Sequence, residues 1–514
     1  MSKSLPSRPS LEQLRNQAKD LRKQFVAGEA AAVQRVRQFH PDFAGSSPKS
    51  NEPLSPSDER EKSFRLHDAQ SVIAREYGFA NWPRLKEHVE SILLETGEPL
   101  DLLKQAFHAD DAQWLRKLLA RYPQFKALIN EPIGPFDSPA IINVRSREML
   151  DVLLEAGGDI NAKSRWWAGG FGLLHHAEPE LAAYALQRGA TLDVHAAARL
   201  GMLDRLRELV FADPQLVHAR GGDGQTPLHF ASTVEIAAFL LEQGADIDAR
   251  DLDHESTPAQ WMIKNRREIA RFLVQRGCHT DLLMAAALGD MNLVRRHLES
   301  DPQSIHLRVT EEFFPKTNPK AGGTIYQWTL GWYVSPHDVA RQFGHEDVFG
   351  LLMDRSPADV KLIAACWAGD ETTVKSLLQE KPGIVAALSD NYKRHTARAA
   401  RNNNPAAVRL MLAAGLPVDA RGQHLATPLH WAAFQGNAGM TREILKYNPP
   451  LEVTDADFRS TPLGWALYGS ENGWHYDASD YATTVELILN AGAKLPEKLS
   501  GTGAVKEVLR RFGG

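Results

Sequence analysis

Three stretches of the sequence put tryptophans beside titratable groups, the combination that stacks a flat polar ligand or moves its protons. In Ser164-Arg165-Trp166-Trp167-Ala168-Gly169-Gly170-Phe171, two adjacent tryptophans precede His175 and His176. They offer an aromatic platform with imidazoles at its base; the competing reading is two rings packed on neighbouring structure. The second stretch, Val309 to Ser335, holds Glu311-Glu312-Phe313-Phe314-Pro315 and Gly322-Gly323-Thr324-Ile325-Tyr326-Gln327-Trp328-Thr329-Leu330-Gly331-Trp332-Tyr333. Tyr326 to Val334 alternate as in a strand, which predicts a long loop or small hairpin, either a ligand surface or a packed aromatic plug. The third stretch carries Gly464-Trp465, Glu471, Trp474, His475 and Asp477, with Gly464 opening space beside Trp465.

If the three share a cleft, its candidate ligand-binding residues are Trp166, Trp167, Trp328, Trp332, Trp465 and Trp474. Its candidate acids and bases are Glu311, Glu471, His475 and Asp477. A retaining glycosidase needs two carboxyls about 5–5.5 Å apart, and an inverting one about 6.5–9.5 Å. No P-loop, dinucleotide fingerprint, His-Glu-x-x-His or Gly-x-Ser-x-Gly accompanies these residues. No cofactor or metal is therefore expected. Cys278 and Cys366 lie too far apart in sequence for a zinc-binding pair and read as buried reduced thiols.

Lys and Arg number 59 against 64 Asp and Glu, a net charge of −5, which gives no electrostatic case for a nucleic-acid partner. No apolar run approaches the roughly 20 residues that span a bilayer. The N-terminal residues lack the apolar core of a secretory signal, so a cytoplasmic location is the default. At 514 residues the chain exceeds one compact core, and several domains or a repeat array is expected.

The stretch around Thr226 shows what must position these groups. In Gly222-Asp223-Gly224-Gln225-Thr226-Pro227-Leu228-His229-Phe230-Ala231, the Thr226 hydroxyl suits an orphaned amide of a first helical turn. Pro227 suits the opening of that turn, because its missing N–H would be unpaired there. Val234, Ala237, Phe239, Leu240 and Leu241 then form the apolar stripe of a second helix, which Gly244 ends in a left-handed conformation. Thr427-Pro428-Leu429-His430 is a second full copy of the start, and Ser256-Thr257-Pro258-Ala259 a partial one. A variant start reads Ala196-Ala197-Ala198, Ala285-Ala286-Ala287 and Ala364-Ala365-Cys366.

These segments resemble ankyrin repeats, at a period close to the family's roughly 33 residues. The resemblance implies an all-α ankyrin-repeat solenoid with short β-turn fingers, and counting helix starts gives about twelve helix pairs. It also implies that His229 and His430 bond neighbouring repeats, and that the concave face binds another protein. His254, His395 and His424 fall at turn positions that can face that surface. Residues 1–95 read as a helical leader module with a disordered linker near 43–62. Its Tyr77-Gly78-Phe79-Ala80-Asn81-Trp82 segment is similar to the leader ahead of ankyrin arrays in some bacterial proteins. Residues 96–495 form the array, and 496–514 a C-terminal capping helix.

Two functions follow. The favoured one is a scaffold that recognises a protein partner through its concave face. The rival is a small-molecule or carbohydrate-active protein, a hydrolase or lyase, built on the tryptophan, histidine and carboxylate groups of the insertions.

Overall fold

The computed structural model describes residues 3–6, 9–40, 64–474 and 479–513. The linker expected near 43–62 lies outside them. The chain divides into two compact units, Met1–Leu192 and Asp193–Gly514. Within the described residues the only β-features are isolated bridges, Gly134 with Ser138 and Lys163 with Gly172, and every regular element is helical.

The first unit opens with helices Leu11–Val26, Ala30–Phe39, Leu66–Glu76 and Trp82–Thr96. Ser10 caps the first by accepting a bond from the Gln13 amide, as its sequence position predicts. Leu21, Val36, Phe64, Val72, Ile73, Leu85 and Val89 are fully buried in one core. Three helix pairs follow in this unit, beginning with Pro99–Ala109 and Ala112–Arg121. The second unit stacks nine pairs, from Val194–Arg199 with Leu203–Ala212 to Pro462–Asn472 with Tyr481–Asn490, twelve in all as expected. Helix Gly503–Gly513 closes this stack, burying Val505, Val508 and Leu509 in the same apolar cluster as Val485 and Ile488.

The repeat start works through its histidine. The Thr226 amide donates to His229 Nδ1 at 3.1 Å, which leaves the ring proton on Nε2, donating to the Ser256 carbonyl of the next repeat at 3.1 Å. His430 repeats this with Thr427 and Ser460. Both starts form a capping box, in which the threonine hydroxyl serves the amide of the third helical residue and also meets the histidine Nδ1. At Ser335-Pro336-His337-Asp338 the capping is reciprocal: the Ser335 hydroxyl accepts from the Asp338 amide, and the Asp338 carboxylate takes bonds from the Ser335 amide and hydroxyl. His337, one place earlier, is buried and bonds Ser356 instead.

Two expectations are corrected. Tyr326 to Val334 is not a strand: Tyr326–Thr329 is a helical turn, with Leu330 and Gly331 amides both returning to the Tyr326 carbonyl. No neighbouring strand offers a ladder, and burial of Tyr326 and Leu330, four residues apart, selects the helical spacing over alternation. His395 is not at a surface turn but is buried at the start of helix His395–Arg401, where its Nδ1 accepts from the Trp367 indole at 3.1 Å.

Burial holds these histidines neutral, His229 and His337 pushed down to about 3 and His430 to about 4. Unfolded, each titrates near 6.5, so below that pH the unfolded chain binds protons the folded one refuses. Their contribution to stability is full above about pH 6.5 and is lost as pH falls toward 4, at about 1.4 kcal/mol per pH unit for each histidine. Thermal melts across this range should show a plateau and then a decline that His337→Gln makes shallower; an unchanged slope would contradict this account.

Candidate ligand cleft and partner surface

Four fingers of the second unit close on themselves through their backbone: Gly221 N to Gln225 O, Asp251 N to Ser256 O, Gly422 N to Ala426 O and Asp455 N to Ser460 O. An arginine braces most of them. Arg220 donates to Gly224 O in its own finger and Arg250 O in the next, and Arg421 does the same to Leu425 O and Thr454 O. Successive fingertips then bond directly, Leu252 N to Asp223 O and Ala456 N to His424 O. Gly224 (φ +70°) permits this stacking, since a Cβ there would lie 2.3 Å from the Leu252 side chain.

Val309 to Val334 is a finger of the same kind, closed by Val309 N to Val334 O and Tyr333 N to Val309 O, with its tip greatly lengthened. The reason lies in the repeat before it. Between Gln275 and Leu282 the turn is too short to make a finger, and the long tip reaches across that gap to the finger at 251–256. Gly322 N donates to Asp253 O at 2.7 Å, Ile325 N to Ser256 Oγ at 3.0 Å, and His254 Nδ1 bonds Gly323 O at 2.9 Å. Glu255 accepts from Thr317 N, Thr317 Oγ1 and Asn318 N. Burial opposes ionisation of this carboxyl, but these bonds and the Arg250 charge outweigh it and hold the pKa below the usual value.

Between the long tip, the finger at 248–257 and the short turn at 279–281 lies an open cleft of about 870 Å3. Asp248, Arg250, Asp251, His254, Glu255, His279, Asp281 and Lys316 are its titratable lining, with Phe313 and Phe314 as apolar wall. At its base Tyr326 donates to Asp281 Oδ2 at 2.9 Å. Burial raises the pKa of Asp281 despite the bonds it accepts, and burial followed by the Asp281 charge raises that of Tyr326 well above its ordinary value.

A second cluster gathers around Arg401. Its guanidinium lies 5.0 Å from the Trp332 ring, 5.5 Å from Trp431 and 5.7 Å from Trp474. Trp474 stacks on Trp431 at 6.0 Å, and Trp465 meets Trp431 edge-on at 5.0 Å. Trp332 of the long finger and Trp474 of the last repeat therefore share one cation, so the second and third sequence stretches do meet. The rings use Arg401 to fill the seat that a ligand cation would otherwise take.

The remaining candidates are spread more widely. Trp166 and Trp167 belong to the first unit, half-buried, with Trp166 edge-on to Phe136 at 5.2 Å. Trp328 is largely exposed on the long finger. Trp465 is buried, its indole donating to Asp455 Oδ2 at 3.0 Å, and the space expected beside Gly464 is filled by the Ser460 hydroxyl, 2.2 Å from where a Cβ would stand. Glu311 pairs with Lys316 and Glu471 with Lys506. His475 and Asp477 lie outside the described residues. His424, half-buried, bonds Asp457.

Sequence reading passed over Arg401, Trp431 and the Asp–Trp pair. The last had a visible signal: Asp251-x4-Ser256-Thr257-Pro258-x2-Trp261 and Asp455-x4-Ser460-Thr461-Pro462-x2-Trp465 share one spacing. In both, the indole donates to the aspartate, at 2.7 and 3.0 Å, while the same carboxylate takes amide bonds from its finger. Desolvation raises the pKa of Asp251 despite the bonds it accepts, whereas around Asp455 the backbone and Trp465 bonds outweigh desolvation and lower it.

The family model "Ankyrin repeats (3 copies)" matches residues 194–284 and 362–455. Mouse "Ankyrin repeat and SAM domain-containing protein 6" is 27% identical over 154 residues, 29% of this chain and 17% of that protein. "Palmitoyltransferase AKR1" of Kluyveromyces lactis is 33% identical over 110 residues, 20% of this chain and 14% of that one. "Serine/threonine-protein kinase VIK" of Arabidopsis thaliana is 49% identical over 49 residues, 9% of this chain and 11% of that one. The chain thus spans less than a fifth of the length of each of these relatives.

Glu255 holds the long tip by bonds that no other described residue replaces at Thr317 and Asn318, so Glu255→Ala should free the segment around Lys316 and Lys320 for local opening. Limited trypsin digestion should cut there at least about tenfold faster than in the parent chain, with the helical circular dichroism unchanged. Equal cleavage rates would show that the remaining contacts suffice.

Proposed function

Because the chain is an ankyrin-repeat protein, we propose that it acts as a binding scaffold recognising a partner protein through its fingertips and inner helices. The observation that carries this reading is a set of large apolar side chains held out at fingertips. Leu252 is 46% exposed, Leu425 52% and Phe458 67%, and Trp328 on the long finger is 65% exposed. A side chain of this kind costs free energy in water and gains it on burial, about 1.5–3 kcal/mol for each one fully covered. Their backbones are already fixed by the finger bonds and arginine braces, so little ordering entropy remains to be lost on binding. Leu425 has the left-handed φ of +53°, which a leucine adopts only where its surroundings hold it, here through the Arg421 bond to its carbonyl.

The described acids weigh against turnover in the same region. Glu311 and Glu471 are largely exposed and each is paired with a lysine, the arrangement of a solvated ion pair rather than of a poised acid or base. The same reading keeps residues 1–95 as a helical leader, 96–495 as the array and 496–514 as its cap. It places Trp166, Trp167, Trp328, Trp332 and Trp474 among candidate contact residues, with Trp465 supporting from beneath.

The test compares proteins recovered by the immobilised full chain with those recovered by a variant carrying Leu252→Ser, Trp328→Ser, Leu425→Ser and Phe458→Ser. At least one captured protein should fall about tenfold or more in the variant, as truncation of interface anchors predicts. Circular dichroism and melting should be unchanged, since these side chains are exposed. Identical recovery of every captured protein would place the contact elsewhere.

A further inference from the structure

Two adjacent fingertips bring together a donor set that belongs neither to repeat stacking nor to the apolar contact surface. Asp223 stands at one tip, and Asp253 and His254 at the next. One carboxylate oxygen from each aspartate and one ring nitrogen of His254 all lie within 4.8 Å of one another. Both aspartates are buried, and His254 nearly so. The backbone fixes the two tips to each other, since Leu252 N and Asp253 N both donate to Asp223 O.

The histidine's orientation is the informative part. His254 Nδ1 faces the Gly323 carbonyl at 2.9 Å, and a carbonyl only accepts, so Nδ1 carries a proton. In the neutral ring Nε2 then presents its lone pair, and it is this nitrogen that stands 3.6 Å from Asp253 Oδ2. That separation exceeds the roughly 2.7–3.2 Å of a hydrogen bond. It is close to the edge of a tetrahedron, about 3.4 Å, that two ligands make around one ion with bonds of about 2.1 Å. A lone pair facing a carboxylate is repulsive unless a cation lies between them. An imidazole whose other nitrogen donates to a backbone carbonyl is also the usual arrangement of a metal-bound histidine.

We propose that Asp223, Asp253 and His254 form a binding site for a first-row divalent cation such as Zn2+, with the remaining coordination positions open to water or to a ligand. Imidazole with carboxylate oxygens is a donor set suited to that class of ion. The long finger completes the site from outside: Gly323 orients the imidazole, and Gly322 N donates to Asp253 Oδ1 at 3.1 Å, leaving Oδ2 toward the ion. Binding would therefore tie the tip at 322–323 to two fingers at once. This site is independent of the partner-binding reading, since none of its three ligands is an exposed fingertip anchor.

The test uses the full chain stripped with a chelator and titrated calorimetrically with Zn2+, and in parallel with Co2+ followed by visible absorption. One equivalent should bind, Co2+ should develop the absorption of a site with protein nitrogen and oxygen ligands, and the melting temperature should rise with free metal. Asp253→Asn and His254→Gln should each weaken Zn2+ at least about tenfold while retaining the helical circular dichroism. Should either variant fail to fold, Asp223→Asn, on the other fingertip, must give the same loss. Absence of saturable binding by the folded parent chain, or equal affinity in the folded variants, would overturn the proposal.

Discussion

Everything in the second unit depends on a problem of unpaired backbone. A finger is a turn with no ladder of its own, and packing turns side by side buries amides and carbonyls that water would otherwise satisfy. The solution is repeated along the stack. Fingers close their bases with an internal bond, the tip carbonyls of Asp223 and His424 go to the next finger's amides, and at two fingers the carbonyl after the tip is taken by a histidine from the helix before it, His229 to Ser256 and His430 to Ser460. Only the neutral ring can accept from the threonine amide and donate to the carbonyl at once, which ties the stack's geometry to one protonation state.

The fold was legible because these solutions leave a sequence trace. Thr226-Pro227-Leu228-His229 and Thr427-Pro428-Leu429-His430 announce the capping histidine directly, and the apolar stripes behind them announce the second helices. The site was legible only in part. Trp332 and Trp474 stand out in the sequence as departures from the repeat, but the cation both rings face, Arg401, sits in an ordinary helix with nothing in its neighbourhood to mark it. Trp465 misled for the opposite reason. It was read as a departure, yet Trp261 holds the same place ten residues after an aspartate, and both indoles serve to anchor a finger. Tyr326 to Val334 shows the limit of periodicity: six aromatic or aliphatic residues in nine positions fit alternation and a helical turn alike, and the partner available, Asp281 below rather than a strand beside, decides between them.

The Arg401 cluster and the cleft at Asp281 are joined by the same element. The long finger contributes Trp332 at its base and Tyr326, Gly322 and Gly323 nearer its tip, so one insertion organises both. Removing a finger from one repeat and lengthening the next keeps the backbone satisfied while exposing side chains, such as Trp328, that an unmodified array has no place for.

That lengthened finger also changes how the stack must come apart. In an array where each repeat touches only its neighbours, stability is a sum of local terms and the ends can fray one repeat at a time. Here Gly322 and Ile325 bond residues 69 positions earlier in the chain, passing over the repeat formed by Leu282–Leu288 and Met291–Ser300. The bridged repeat cannot loosen without stretching contacts on both sides of it, and the bonds of His306 to Tyr392 and of Asn402 to Trp332 extend the same kind of tie into the later repeats, so this portion of the array is linked as one block. Its folding must also await a closure of long sequence separation, which makes the middle of the stack, rather than its ends, the slow step in assembly.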